Sequence, residues 1–181
     1  IKTNREMKDF KELIQLRRSH RKFTDEEVNP EDVKLILRTA LMSPSAKSIR
    51  GWHFIVVDDK MTIEKLSDSK NHGAEFLVGA PLAIVITGNP TENDCWIEDG
   101  SIAATMIQLQ VEDLGLGSCW AQMRGRGLSD GTPATEVIRG ILDIPESQEV
   151  LCVIGIGHKA DERKPQNEDK LLWEQVHINK F

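Results

Sequence analysis

The chain contains no tyrosine, which excludes a phenolic general acid from its chemistry. Its three cysteines, Cys95, Cys119 and Cys152, are odd in number and widely spaced; they fit neither a disulfide framework nor a zinc site, and free buried thiols are expected. No apolar run reaches the roughly 18 residues of a membrane span, and the opening IKTNREMKDF lacks the apolar core of a signal peptide. A soluble, cytoplasmic protein is expected, beginning at Ile1 rather than at a methionine, which leaves room for residues ahead of it. Positive charge is also scarce: 23 Lys and Arg face 29 Asp and Glu, a formal net charge of -6. A phosphate backbone would repel the protein as a whole, so neither nucleic acid nor membrane is an expected partner.

Several chemical signatures are missing as well. No Gly-x4-Gly-Lys-Ser/Thr loop occurs. Gly155-Ile156-Gly157-His158-Lys159-Ala160 matches a dinucleotide fingerprint in letters, but Asp161-Glu162-Arg163-Lys164-Pro165 opens no helix, and a dinucleotide fold needs both a following helix and another strand. In Gly115-Leu116-Gly117-Ser118-Cys119-Trp120 a tryptophan replaces the third glycine. His20, His53, His72, His158 and His177 are scattered without metal-ligand spacing. His53 is expected to be a hydrogen-bonded core or interface residue of a strand. No local motif supports a Cys-His nucleophile.

What is present begins with Arg17-Arg18-Ser19-His20-Arg21-Lys22-Phe23, a basic block in an acidic chain. It suits either a solvated helix end or a small anion. Phe10, Leu13, Ile14 and Arg17 follow helical spacing, predicting a first helix from about Met7 whose last turn carries Arg17 and Arg18. Asn29 before Pro30 starts a second helix, ending near Met42. Residues 43–51, rich in serine and small residues, read as a loop leading into a strand over 52–57. Further strands are predicted over 82–87, 118–122 and 150–156, with an edge strand over 177–181. A long helix over 96–114, apolar all round, is expected to be central or at a subunit interface, and another helix runs from Pro133 through Leu142. This is one α+β domain over 1–181, with a sheet of about four or five strands.

Four segments stay anion-ready or stacking-ready: RRSHR, SPSAKSIRGW, SCWAQMR and HKADERK. Together RRSHRKF, ALMSPSAKSIRGWHFIVVDD, the buried helix, LGLGSCWAQ and the closing VIGIGHKADERKP and WEQVHINKF resemble the nitroreductase family of FMN-dependent oxidoreductases along essentially the whole chain. The resemblance implies a mainly antiparallel sheet surrounded by helices in an intertwined homodimer. It implies that Arg17, Arg18, Ser19 and Arg21 hold the flavin phosphate, ribityl chain and pyrimidine edge. From the other subunit Pro44, Ser45, Ala46, Ser48 and Arg50 would close over the same flavin, although many relatives carry Asn and Gln at the positions of Ser48 and Arg50. Trp120, Gln122 and Met123 would lie against the ring, with the N–H of Gln122 or Met123 directed at N5, and Lys159 and Arg163 would reach the phosphate. The implied reaction is ping-pong: NADH or NADPH reduces the flavin, which then reduces a nitroaromatic, quinone or similar small acceptor. The hydride is carried by the flavin, so no catalytic side chain is assigned. A flavin carrier or sensor without turnover, and a domain without flavin, are the competing readings.

Overall fold

The computed structural model describes residues 8–181; Met7, the expected start of the first helix, lies outside them. Strand β2 (Leu82–Gly88) is buried along its whole length, and so is β4 (Glu149–Gly157) beyond its first residue. That is why both read as unbroken apolar runs instead of alternating ones. They form the centre of a four-stranded sheet of order β1-β2-β4-β3, antiparallel at every pairing. Strands β1 (His53–Val57) and β3 (Gly117–Gln122) are its edges.

Alternation along β2 sends Leu82, Ile84 and Ile86 to one face of the sheet and Ala83 and Val85 to the other. On the first face Ile36 and Ala40 of α2 (Pro30–Leu41) and Ala104, Ile107 and Val111 of α4 (Trp96–Asp113) complete the core. On the second, Ile63 and Leu66 of α3 (Lys60–Ser67) join Ala134 and Ile138 of α5 (Ala134–Leu142). Each such buried aliphatic side chain larger than alanine contributes about 2 kcal/mol. Helix α4 lies between the sheet and the other helices of its own layer, α2 and the short helix over Phe10–Leu16, which explains why it is apolar nearly all round. It also buries Asp99, Gln108 and Glu112, which must find polar partners there.

Two local features set the geometry beyond the core. The β2–β4 register shifts between Ile86 and Thr87, whose partners are Cys152 and Val150, so Leu151 is the extra residue of a bulge. Its carbonyl accepts N–H bonds from both Met123 (3.2 Å) and Arg124 (3.0 Å), which fixes the chain leaving β3. The glycines of the false fingerprint are packing glycines. A Cβ on Gly155 would meet Leu77 and Phe76 at 2.9 Å, and one on Gly157 would meet the Pro81 ring at 2.7 Å.

Four expectations need correction. Helix α1 (Phe10–Leu16) stops before the basic block: Arg17 is its C-cap with extended ψ, and no basic residue lies in its last turn. Helix α3 is unanticipated, because its short polar sequence buries only Ile63, Leu66 and Ser67; Asp59 caps it by accepting the Thr62 N–H at 2.8 Å. The strand expected over 177–181 does not form, and the tail instead makes 3-10 turns at Glu168–Lys170 and Trp173–Gln175. His53 is exposed on edge strand β1, so of its two readings the core is excluded and the interface is left.

Candidate functional site

The basic block is extended because its backbone finds better partners than another helical turn. Ser19 bridges Ser118 in parallel, and the His20 N–H donates to the Ser118 carbonyl at 2.9 Å. Phe23 bridges Lys159, while Ala160 N–H donates to the Lys22 carbonyl and Thr24 N–H to that of His158, both at 3.0 Å. The block is thus threaded along the start of β3 and the end of β4. Gly117 makes this close passage possible, since a Cβ there would lie 2.9 Å from that of His20.

Extended backbone alternates its side chains. Ser19 and Arg21 turn to the face that carries the Cys119 thiol. Burial pushes that thiol up, and Arg21, the Ser19 hydroxyl, the Trp120 backbone and Arg163 pull it back, in that order. Arg21, Ser19 and Arg163 therefore share one patch around β3. His20 turns the other way and is 3% exposed. Arg18 donates from Nη1 to the Lys164 carbonyl, anchoring the chain that carries Arg163. Among the described residues, no carboxylate lies within ion-pair distance of Arg17 or Arg21. Lys159 is close by, but its ammonium pairs with Glu112 at 2.7 Å.

Sequence reasoning missed another cation. Lys70, in the loop after α3, is buried, and its pKa is lowered by that burial first and by neighbouring Arg126 second; Glu75 and Cys119 act in the opposite sense. Two loops force these like charges together: Asn71 N–H donates to the Gly127 carbonyl (3.2 Å), and the Asn71 side chain accepts from Ser129 N–H (3.0 Å). Among the described residues Lys70 has no ion pair either. A desolvated ammonium beside a guanidinium is costly on its own and favourable beside an anion. No motif surrounds Lys70 in the sequence, so no local signal could have marked it.

At the end of β3 the Trp120 indole donates to Gln122 Oε1 and the Gln122 amide donates to the Arg124 carbonyl, both at 2.9 Å. Met123 is fully buried, and its N–H is used by Leu151. The Ser118 carbonyl faces away from β4 toward His20, so alternation turns the backbone of Trp120 and Gln122 to that same open edge. Of the two candidates for an outward N–H, only Gln122 is on the open side.

The 43–51 loop lies elsewhere. Asp99, 3% exposed in the first turn of α4, accepts the Ala46 N–H at 2.9 Å and the Asn93 amide at 2.8 Å. The Ser45 hydroxyl accepts the Arg50 N–H at 2.9 Å. These bonds hold Lys47, Ser48 and Arg50 at positive φ, a conformation non-glycine residues keep only when their surroundings impose it. Pro44, Ser48 and Arg50 are exposed, Ser45 and Ala46 half-buried. Lys159 meets α4 at Glu112, thirteen residues beyond Asp99, or about 20 Å along the helix. Ser19, Arg21 and Arg163 are thus gathered around Cys119 of β3 near the C-terminal end of α4, with Arg17 two residues ahead of Ser19 in the chain and Trp120 and Gln122 further along β3, while Pro44, Ser45, Ala46, Ser48 and Arg50 belong to the loop bonded to the N-terminal end of α4.

Among the described residues no three His, Cys, Asp or Glu side chains are grouped to hold a metal, and no helix is long and apolar enough to cross a membrane. Comparison with known proteins agrees with the fold. The solved structure of an FMN-dependent nitroreductase from Clostridium difficile R20291 superposes with a TM-score of 0.92 at 47% identity, covering 93% of this chain and 98% of that one. A curated Archaeoglobus fulgidus protein, provisionally named NADH dehydrogenase/NAD(P)H nitroreductase, is 32% identical over 97% of this chain and 100% of its own length. A similarly named protein of Methanothermobacter thermautotrophicus is 34% identical over 96% of this chain and 88% of its own. The profile of the Nitroreductase family matches residues 14–72 and 64–158; with relatives of that identity spanning nearly the whole chain, this oxidoreductase chain belongs to the nitroreductase family.

Proposed function

We propose that residues 1–181 form a single-domain, cytoplasmic FMN-dependent NAD(P)H oxidoreductase that works as a homodimer and reduces nitroaromatics, quinones or similar small acceptors. The observation that carries this reading is the pair of cations without carboxylate partners among the described residues, Arg21 and Lys70, gathered with Arg163 around Cys119 of β3, with Arg17 four residues ahead of Arg21 in the same basic block. A phosphate near charge -2, with an electron-poor ring beyond it, suits that donor set. Arg17, Arg21 and Arg163 would hold the phosphate, Arg18 would fix the strand carrying them, and Ser19 would donate to a ribityl oxygen. Lys70 would offset negative charge at the pyrimidine edge, and the Gln122 N–H would orient the ring, with Trp120 beside it and Met123 buried behind Gln122 in the core. Lys159 would add a fixed positive charge while remaining paired with Glu112. When bound, FMN supplies the hydride chemistry for which the chain has no side chain.

The distance along α4 supports the dimer. Pro44, Ser45, Ala46, Ser48 and Arg50 would reach that cofactor from a second copy, where the loop would cover the ring and exclude water. Exposed Phe10, Ile14, Leu171, Leu172 and Trp173 supply apolar surface for such an interface. The test is a visible absorption spectrum of the purified protein, followed by NADH or NADPH without oxygen and then by an acceptor. Flavin colour that bleaches with a reduced dinucleotide and returns with a quinone is expected. A colourless protein that takes up no FMN would overturn the reading.

A further inference from the structure

Beneath the basic block lies a buried histidine for which the reaction has no use. His20 has a side chain only 4% exposed, and its Nδ1 lies 2.7 Å from Oδ1 of Asp161, itself 15% exposed. An ionised carboxylate can only accept, so Nδ1–H is the donor. The other oxygen of the same carboxylate, Oδ2, lies 3.4 Å from Nε of Arg163. The backbone N–H of Arg21 faces the same carboxylate and favours its charged form. Burial raises the Asp161 pKa, but the hydrogen bond and charge of His20, then Arg163, then the Arg21 N–H outweigh it and hold the carboxyl below its ordinary value. One carboxylate thus joins the two cationic segments on either side of the patch, 141 residues apart.

The imidazole is wedged in place. Its Cβ lies against Gly117, and its backbone N–H is bound to Ser118. Without His20, Asp161 keeps Arg163 as its side-chain ion-pair partner, and that guanidinium, 42% exposed, loses the buried anchor of its carboxylate while the backbone beyond it stays tied by the Arg18–Lys164 bond.

We propose that His20 and Asp161 are positioning residues. They form a His-carboxylate-Arg chain, buried at its histidine end, that presets Arg163 and the Arg21 backbone for a phosphomonoester. The proposal rests on the flavin reading and deepens it: the chain should act on the phosphate and not on the ring. Its signature is therefore a difference between FMN and riboflavin, which share the ring and differ in the phosphate.

The experiment measures FMN and riboflavin affinities, by quenching of flavin fluorescence, for the wild-type protein and for His20→Ala, His20→Asn, Asp161→Asn, Arg163→Ala and the His20→Ala/Arg163→Ala double variant. Thermal melting of each apo protein controls for folding. His20→Ala and Asp161→Asn should each weaken FMN about 10-fold and leave riboflavin within about 2-fold. His20→Asn, whose amide N–H can stand in for Nδ1–H, should recover most of the affinity. The double variant should bind no more weakly than Arg163→Ala alone. Equal losses for FMN and riboflavin would mean a purely structural role and overturn the proposal, as would unchanged FMN affinity in Asp161→Asn, which is the less disruptive change. A wild-type protein that binds neither flavin would overturn the flavin reading itself, and this inference with it.

Discussion

The ammonium of Lys159 stands 2.7 Å from Oε1 of Glu112, whose side chain is 5% exposed at the last turn of α4. Lys8 Nζ approaches the same oxygen at 4.0 Å and donates to the Glu112 carbonyl at 3.0 Å. A buried carboxylate is tolerable only when so paired, which makes the pair a joint between α4 and the end of β4.

Breaking that joint from one side should cost more than removing it. Lys159→Ala is expected to destabilise by about 2 kcal/mol, because Glu112 is left buried with only the more distant Lys8. Adding Glu112→Gln should restore part of the loss. Urea denaturation of both single variants and the double variant measures this; strictly additive losses would contradict the coupling.

Arg17→Ala and Ser19→Ala should each weaken FMN binding by about 10-fold, the order of one charged or polar contact. Flavin titration of apo protein reads this directly. Unchanged affinity in both would remove the basic block from the cofactor site.

Because the 43–51 loop and the basic block lie at opposite ends of α4, their defects should complement. A preparation mixing chains bearing a Pro44/Ser45 loop change with chains bearing Arg17→Ala should contain heterodimers with one intact flavin site. Flavin stoichiometry and NAD(P)H oxidation should rise above those of either parent. No gain over the parents would argue for a site built within one chain.

Lys70 predicts a pH effect of definite sign. Its folded-state pKa lies below the ordinary lysine value because burial and Arg126 disfavour the charged form. Between those two values the unfolded chain binds more protons, so stability of the apo protein should rise with pH across that window, toward about pH 10. Lys70→Met should be more stable than wild type at neutral pH and should lack this rise, while binding the reduced flavin less well. Denaturation curves at neutral and alkaline pH test the first part; a variant with the same alkaline gain as wild type would rule Lys70 out as its source.

Some of the molecule is written locally. Strands β2 and β4 and helix α4 announce themselves because elements covered on both sides must be apolar over consecutive residues. The N-terminus of α2 does so because Asn29 accepts the Glu31 N–H within its own turn. The blocks that carry the family resemblance, RRSHRKF and LGLGSCWAQ, are equally legible, since each keeps its residues together in the chain.

Other features exist only through distant partners. Helix α1 ends at Leu16 because Ser118, about a hundred residues on, offers Ser19 and His20 a strand edge. The tail forms no strand because none of its own chain's edges pairs with it. Lys70 is pressed toward Arg126 by bonds between two loops, and His20 meets Asp161 across 141 residues. The sequence by itself determined which segments would be buried and which residues were fit to hold an anion. Only the tertiary structure decided which charges would be paired, which would have no carboxylate partner among the described residues, and that the 43–51 loop and the basic block lie at opposite ends of α4. Burial follows from local composition, whereas ion pairing depends on distances of a few ångströms between residues that the chain does not connect.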